Sequence, residues 1–214
     1  MKTFNTIAVI GGTGKSGTYL VKELLRRDYN VRLLVRNPKK VPDFKEKVDV
    51  IFGDASSKSQ IHELLKGADA VISCLGLGIP LSSKTIFKET TENVVNLLKA
   101  RNKSRYIILS GLHVDTEMDQ KGDNTKAATA YMYSNYPVST QNKQDEYELL
   151  RDSNIQWTLV RSSYIELTDH KSEYCNSIVD CLGQKISASS LAEFLVDQLE
   201  SNEYLKKAPF IWNK

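Results

Sequence analysis

Seven short runs rich in Val, Ile and aromatic residues punctuate the chain: Thr6–Ile10, Val31–Val35, Val48–Phe52, Ala70–Cys74, Tyr106–Ser110, Trp157–Val160 and Pro209–Trp212. Most are apolar almost throughout, which suits strands buried on both faces, and such strands are parallel ones joined by crossover helices. The intervening segments have helical period: Lys15–Asp28 (with Leu20, Leu24 and Leu25 inward), Lys58–Lys66, Thr85–Ala100, Thr140–Asp152 and Ser190–Ser201. The expected fold is therefore α/β, a doubly wound parallel sheet with helices on both faces. A length of 214 residues makes it a single domain. In such sheets ligands bind outside the carboxyl ends of the strands, so the residues just after each strand are the candidates for function.

Two connections, at about 113–138 and 162–187, are too long for simple crossovers. Both follow strand carboxyl ends, where substrate loops belong. They carry Tyr131, Tyr133 and Tyr136, and Tyr164 and Tyr174, side chains able to stack on a planar ligand. The charge balance of 29 basic against 26 acidic residues is +3, too small and too dispersed for the basic stripe of a nucleic-acid partner. Cys74, Cys175 and Cys181 form no CxxC pair, which disfavours both a disulfide framework and a zinc site and fits a reducing cytoplasm. The start of the chain has no signal-peptide pattern. The longest apolar tract, around Ala70–Leu81, is broken by Ser73, two glycines and Pro80 before it could span a membrane. The expectation is a cytoplasmic monomer or small homo-oligomer acting on a small molecule, with no membrane or nucleic-acid partner and no metal.

Gly11-Gly12-Thr13-Gly14-Lys15-Ser16-Gly17 lies between the first strand and the first helix and satisfies both GxxGxxG and GxGxxG. Glycines there let the backbone turn sharply and approach a pyrophosphate, whose charge then rests on helix N-terminal amides. The ending Gly14-Lys15-Ser16 resembles a Walker loop, but that motif needs a glycine where Val9 stands. A dinucleotide site is expected. Val35 is followed by Arg36, not by the acidic residue that holds the ribose 2′-hydroxyl in NAD sites, and a guanidinium suits a 2′-phosphate. With Lys15, Lys39 and Lys40 adding positive field, the expected cofactor is NADP (as NADPH) in preference to NAD. Asp54 and Ala55, after the third strand, are placed to meet the adenine ring. Cys74, Leu75 and Gly76, after the fourth, are placed beside the glycine loop, with Cys74 more plausible as a small buried hydrophobe than as a reactive thiol.

The glycine loop, Arg36, Gly53-Asp54, Lys143-Gln144-Asp145-Glu146, Leu150-Arg151-Asp152-Ser153 and Trp157-Thr158-Leu159-Val160-Arg161 together give the chain a family likeness. It resembles, over essentially all its length, the atypical short-chain dehydrogenase/reductase group that includes NmrA-like proteins and NAD(P)H-flavin or biliverdin reductases. The resemblance implies a Rossmann-like fold, cofactor along the carboxyl edge, and a substrate pocket over the nicotinamide. The wider superfamily uses a serine after the fifth strand and a YxxxK motif, and Ser110 and Lys143 match the serine and the lysine. Ser139 stands where the acid tyrosine would be. Arg161 is followed by Ser162-Ser163, which puts Ser162 where the family's proline shapes the nicotinamide pocket. His62 and His170 lie apart from these positions, whereas His113, three residues past Ser110, stands near them.

General acid catalysis is worth about 10²–10⁴ in rate, so a chain lacking the tyrosine is poorly equipped for ordinary carbonyl reduction. The reading that fits is an NADPH-dependent oxidoreductase passing hydride to a flavin, quinone or similar planar acceptor. The alternative is a noncatalytic NADP-binding sensor or regulator of the NmrA type. A nucleotide-sugar epimerase or dehydratase ranks last, since it needs the tyrosine and a larger substrate domain.

Overall fold

The computed structural model describes residues 3–41, 45–78, 81–99 and 105–214. The expected helix end at Ala100 and the side chain of Lys40 lie outside the described residues. The parallel core strands are β1 (Thr6–Ile10), β2 (Asn30–Val35), β3 (Asp49–Phe52), β4 (Ala70–Ser73), β5 (Arg105–Gly111) and β6 (Gln156–Ser162). Three short strands, β7 (Tyr164–Glu166), β8 (Tyr174–Ser177) and β9 (Lys185–Ser187), precede the last, β10 (Phe210–Asn213). The main sheet runs β3-β2-β1-β4-β5-β6-β10-β8. The order reverses between β1 and β4, and a cleft opens at that switch point in folds of this kind. Every pairing in the main sheet is parallel except β8 on β10. The chain is a single Rossmann-like α/β domain.

Alternation along each strand divides the core into two layers. Ile7, Val9, Leu33 and Ile72 pack beneath α1 (Gly17–Arg26) and α6 (Ala188–Asp197), through Leu20, Leu24, Leu191 and Phe194. Ala8, Ile10, Val71 and Ile108 face α2 (Lys58–Leu65), α3 (Ile86–Leu98) and α5 (Pro137–Arg151), through Ile61, Val94, Val95 and Leu150.

Helix ends shift for identifiable reasons. α1 starts at Gly17 because the preceding glycines are spent on the turn, and it is over before Asp28, whose left-handed φ of +56° takes the chain out of helix. α5 starts at Pro137, three residues before the expected Thr140, because proline suits the first helical turn. α6 begins at Ala188 because the Ser187 hydroxyl accepts the Ser190 N–H at 3.1 Å and caps it. The connection at 113–138 contains a helix, α4 (Asp123–Asn135), that buries only Thr125 and so shows no apolar stripe in sequence. The 162–187 connection contains β7, β8 and β9; β7 pairs with β9, while β8 closes the sheet edge. Among the described residues no helix is long and apolar enough to cross a membrane, and no cluster of His, Cys, Asp and Glu could hold a metal ion.

Candidate functional site

The glycine loop is shaped by contacts that tolerate no side chain at two positions. Gly11 has φ +74°, and a Cβ there would stand 2.6 Å from the Cys74 carbonyl oxygen; at Gly17 it would stand 2.1 Å from the Gly11 carbonyl oxygen. The Gly14 N–H donates to Gly11 O at 3.0 Å and closes the turn. α1 then starts with no side-chain cap and no acidic residue in its first turn. Its amide end and dipole thus favour an anion.

Beyond this loop lies a cleft of about 470 Å³. Its walls are Gly11, Thr13, Gly14, Lys15 and Ser16 on one side and Arg36, Asp54, Ala55, Cys74, Leu75 and Gly76 around the rest. Of the thirteen positions that the sequence put in the glycine loop, at Arg36 and after β3 and β4, the fold gathers these eleven into one lining. Gly12 and Gly17 lie buried beneath the loop instead of lining the cleft. Asn37, Gly78, Ser82 and Ile86 were not among the expected site residues, and Ile10, Leu34 and Gly53 complete the lining. Only the Gly76-x-Gly78 spacing could have pointed to the segment after β4.

That segment matters because it holds Arg36. The guanidinium Nη1 donates to Ser82 Oγ at 2.7 Å, and the side chain lies against Gly78. The nearest carboxylate oxygen of Asp54 is 4.0 Å from Nη1. Asp54 is itself occupied: its Oδ1 accepts from the Ser56 N–H at 2.9 Å and the Ser56 hydroxyl at 2.7 Å. Burial would raise its pKa, but the Ser56 hydrogen bonds and the charge of Arg36 outweigh this and hold it below the usual carboxylate value. Cys74 is buried, and burial pushes its thiol up to about 12, so it is no nucleophile at neutral pH.

Ser110, Lys143 and Ser162 do not line this cleft; they meet around the carboxyl ends of β5 and β6. Ser162 Oγ donates to Ser110 O at 3.4 Å. Ser110 Oγ is buried without a hydrogen-bond partner among the described residues, as is His113 Nε2. Orphaned buried polar atoms are rare in folded proteins, and a bound ligand, ion or water is one way such an atom is completed. Desolvation, reinforced by the charges of Lys143 and Lys121, lowers the His113 pKa to about 4. The imidazole is neutral at physiological pH.

Lys143 is buried, not exposed, though it does pair with Glu146 one turn on. Its ammonium donates to Glu146 Oε2 at 2.8 Å and Leu109 O at 3.3 Å and stands 4.0 Å over the Phe87 ring. Glu146 Oε1 accepts the Thr91 hydroxyl at 2.7 Å, and Thr91 meets Tyr106 OH at 3.1 Å. The pair ties α5 to β5 and α3. One turn before it, the Ser139 hydroxyl donates to Tyr136 O at 3.2 Å. The start of the 113–138 connection is clamped by the fully buried Arg161, which donates to Ala208 O and Val114 O at 2.8 and 2.9 Å, pairs with Asp119 at 2.8 Å and lies 3.5 Å over the Phe210 ring.

A family model described as NAD(P)H-binding matches residues 11–202, and the chain belongs to that family. Among curated relatives, YwnB of Bacillus subtilis (strain 168), an uncharacterized protein, is 23% identical over 92% of this chain and 93% of its own. Ycf39 of Trieres chinensis, a photosystem II assembly factor, is 41% identical, but over only 31% of this chain and 21% of its own length. In fold the chain is similar to a short-chain dehydrogenase/reductase from Veillonella parvula DSM 2008 solved with NADP, at TM-score 0.80, 18% identity and coverage of 99% and 95% of the two chains. It is also similar to SP1627 of Streptococcus pneumoniae TIGR4, described as a candidate NADH-flavin reductase, at TM-score 0.77, 22% identity and coverage of 98% and 100%.

Proposed function

We propose that the protein is an NADPH-dependent reductase whose acceptor is a flavin, quinone or other planar conjugated ring. The glycine loop, the amide end of α1 and the cleft beside them fit a dinucleotide, with Thr13, Gly14, Lys15 and Ser16 at the pyrophosphate and Asp54 and Ala55 at the adenine. Arg36, steadied by Ser82, takes the 2′-phosphate. Ser110 and Ser162 stand at the nicotinamide end, where the orphaned Ser110 hydroxyl has a hydrogen bond to give. Bound NADPH supplies a hydride, leaving NADP⁺.

The observation that carries the choice of acceptor is that, among the described residues, none of the three groups at or beside the family's acid position is free to give a proton. Ser139 replaces the acid tyrosine and spends its hydroxyl on Tyr136 O, the Lys143 ammonium is engaged on three partners, and His113 is neutral. A carbonyl reduced to an alkoxide needs an acid at hand. A conjugated ring spreads the incoming charge and takes its proton from solvent, so the chain need only bind the ring and orient it against the nicotinamide. The same engaged lysine also suits a sensor that binds NADP without turnover. Initial rates of NADPH oxidation with FMN, riboflavin and a quinone, with NADH for comparison, separate the two. Saturable turnover favouring NADPH supports the reductase; rates equal to the uncatalysed background with every acceptor, while NADPH still binds, leave the sensor.

A further inference from the structure

Four buried side-chain polar atoms among the described residues have no hydrogen-bond partner, and two of them, Ser110 Oγ and His113 Nε2, stand three residues apart at the carboxyl end of β5. The other two lie away from the carboxyl edge: Trp157 Nε1 near the start of β6, and Gln198 Oε1 beside Arg105 at the start of β5. A polar group kept dry and unpaired costs stability. Two such groups on one turn, at the edge where ligands bind in this kind of sheet, point to a ligand that completes both.

The imidazole is held firmly in place. Residues 111–114 form a turn closed by the Val114 N–H on Gly111 O at 3.3 Å. Val114 O accepts from Arg161 Nη1 at 2.9 Å and from Lys121 Nζ at 3.2 Å, and the Asp115 N–H donates to Gln144 Oε1 at 2.9 Å. The ring folds back over Gly111, where a Cβ would stand 2.5 Å from Cε1 and 2.6 Å from Nδ1. A side chain fixed in this way loses little further freedom when a ligand binds. Charge says what kind of ligand atom suits it. Lys143 and Lys121 put positive potential at the imidazole, and Asp115 opposes them. A neutral imidazole has one N–H to donate and a hydroxyl has one O–H, so the pair suits an oxygen bearing partial negative charge. We propose that Ser110 Oγ and His113 Nε2 donate to the carbonyl edge of the acceptor ring, so that His113 fixes which edge of the ring is held and favours rings with a carbonyl there. His113 gives a hydrogen bond and keeps its proton. This rests on the reductase reading for the ligand's identity and goes beyond it by giving His113 a contact.

The experiment compares the full chain with His113→Leu and His113→Gln. It reads riboflavin binding to the NADP⁺-loaded protein by quenching of flavin fluorescence, turnover with NADPH and either riboflavin or menadione, and thermal melting without ligand. His113→Leu removes the donor and the unpaired buried atom together. It is expected to weaken riboflavin binding at least tenfold, with NADP⁺ affinity unchanged within twofold and Tm no lower than the parent's. His113→Gln, whose side-chain amide replaces the imidazole donor, is expected to recover most of the binding. A purely structural histidine gives the opposite pattern, a lower Tm with riboflavin affinity unaltered in both variants, and that result overturns the proposal. So does a parent protein that binds no riboflavin. Turnover in His113→Leu equal to the parent's would remove the contact and leave the reductase standing, whereas riboflavin binding that depends on His113 without any turnover would keep the contact and overturn the reductase.

Discussion

Gly17 has no room for a side chain, because a methyl group there would sit on the Gly11 carbonyl that closes the turn. Gly17→Ala is expected to lower stability by about 1–3 kcal/mol, as overpacking does, and to abolish nucleotide binding, checked by denaturant melts and NADPH titration. His113 gives a pH prediction. Its folded pKa, about 4, lies below the ordinary 6.5, so the unfolded chain binds more protons between those values. Its contribution to stability is complete above pH 6.5 and is lost as pH falls toward 4; His113→Gln should flatten the acid side of a stability profile there. Lys143, Lys121 and Asp115 face this imidazole, and the first two reinforce the shift while the last opposes it. At this scale the sequence is legible where the chemistry is local, and Gly11, Gly14 and Arg36 do line one cleft. Glycines before a helix and an arginine after a strand carry their meaning in their spacing. Ser82 as the partner of Arg36, and the burial of Lys143 against Phe87 and Leu109, arise from chain segments that only folding brings together.

At the scale of elements, the buried Lys143–Glu146 pair joins α5 to β5 and, through Thr91, to α3. Removing one member of a buried pair strands the other's charge, so Lys143→Met is expected to cost about 3–5 kcal/mol, whereas Lys143→Met/Glu146→Leu should recover most of it. Urea unfolding of the three proteins measures this, and equal losses in the single and double variants would contradict it. Strands and most helices were readable because buried elements write their period in apolar residues: β1 has the predicted bounds, α2 ends one residue early, and α3 starts one residue late and ends at Leu98, short of the expected Ala100. α4 was not readable because it buries one threonine, and β7 and β9 because three residues carry no period.

For the whole molecule, a sheet whose order reverses between β1 and β4 places the glycine loop, Arg36 and the segment after β4 around one cleft, and ligand binding there couples to global stability. NADPH at 100 times its dissociation constant should stabilise the folded state by about 2.7 kcal/mol. For a chain of this size that raises Tm by roughly 5–11 °C, readable in a thermal melt. The central claim is that this cleft holds NADP by its 2′-phosphate, and the most direct test is the affinity for NADPH and NADH, by calorimetry, in the parent protein and Arg36→Ala. Loss of a charge-assisted contact worth about 1.5–3 kcal/mol predicts that NADPH binding weakens roughly 10- to 100-fold while NADH binding is little changed. Equal weakening of both nucleotides, or of neither, would contradict the account.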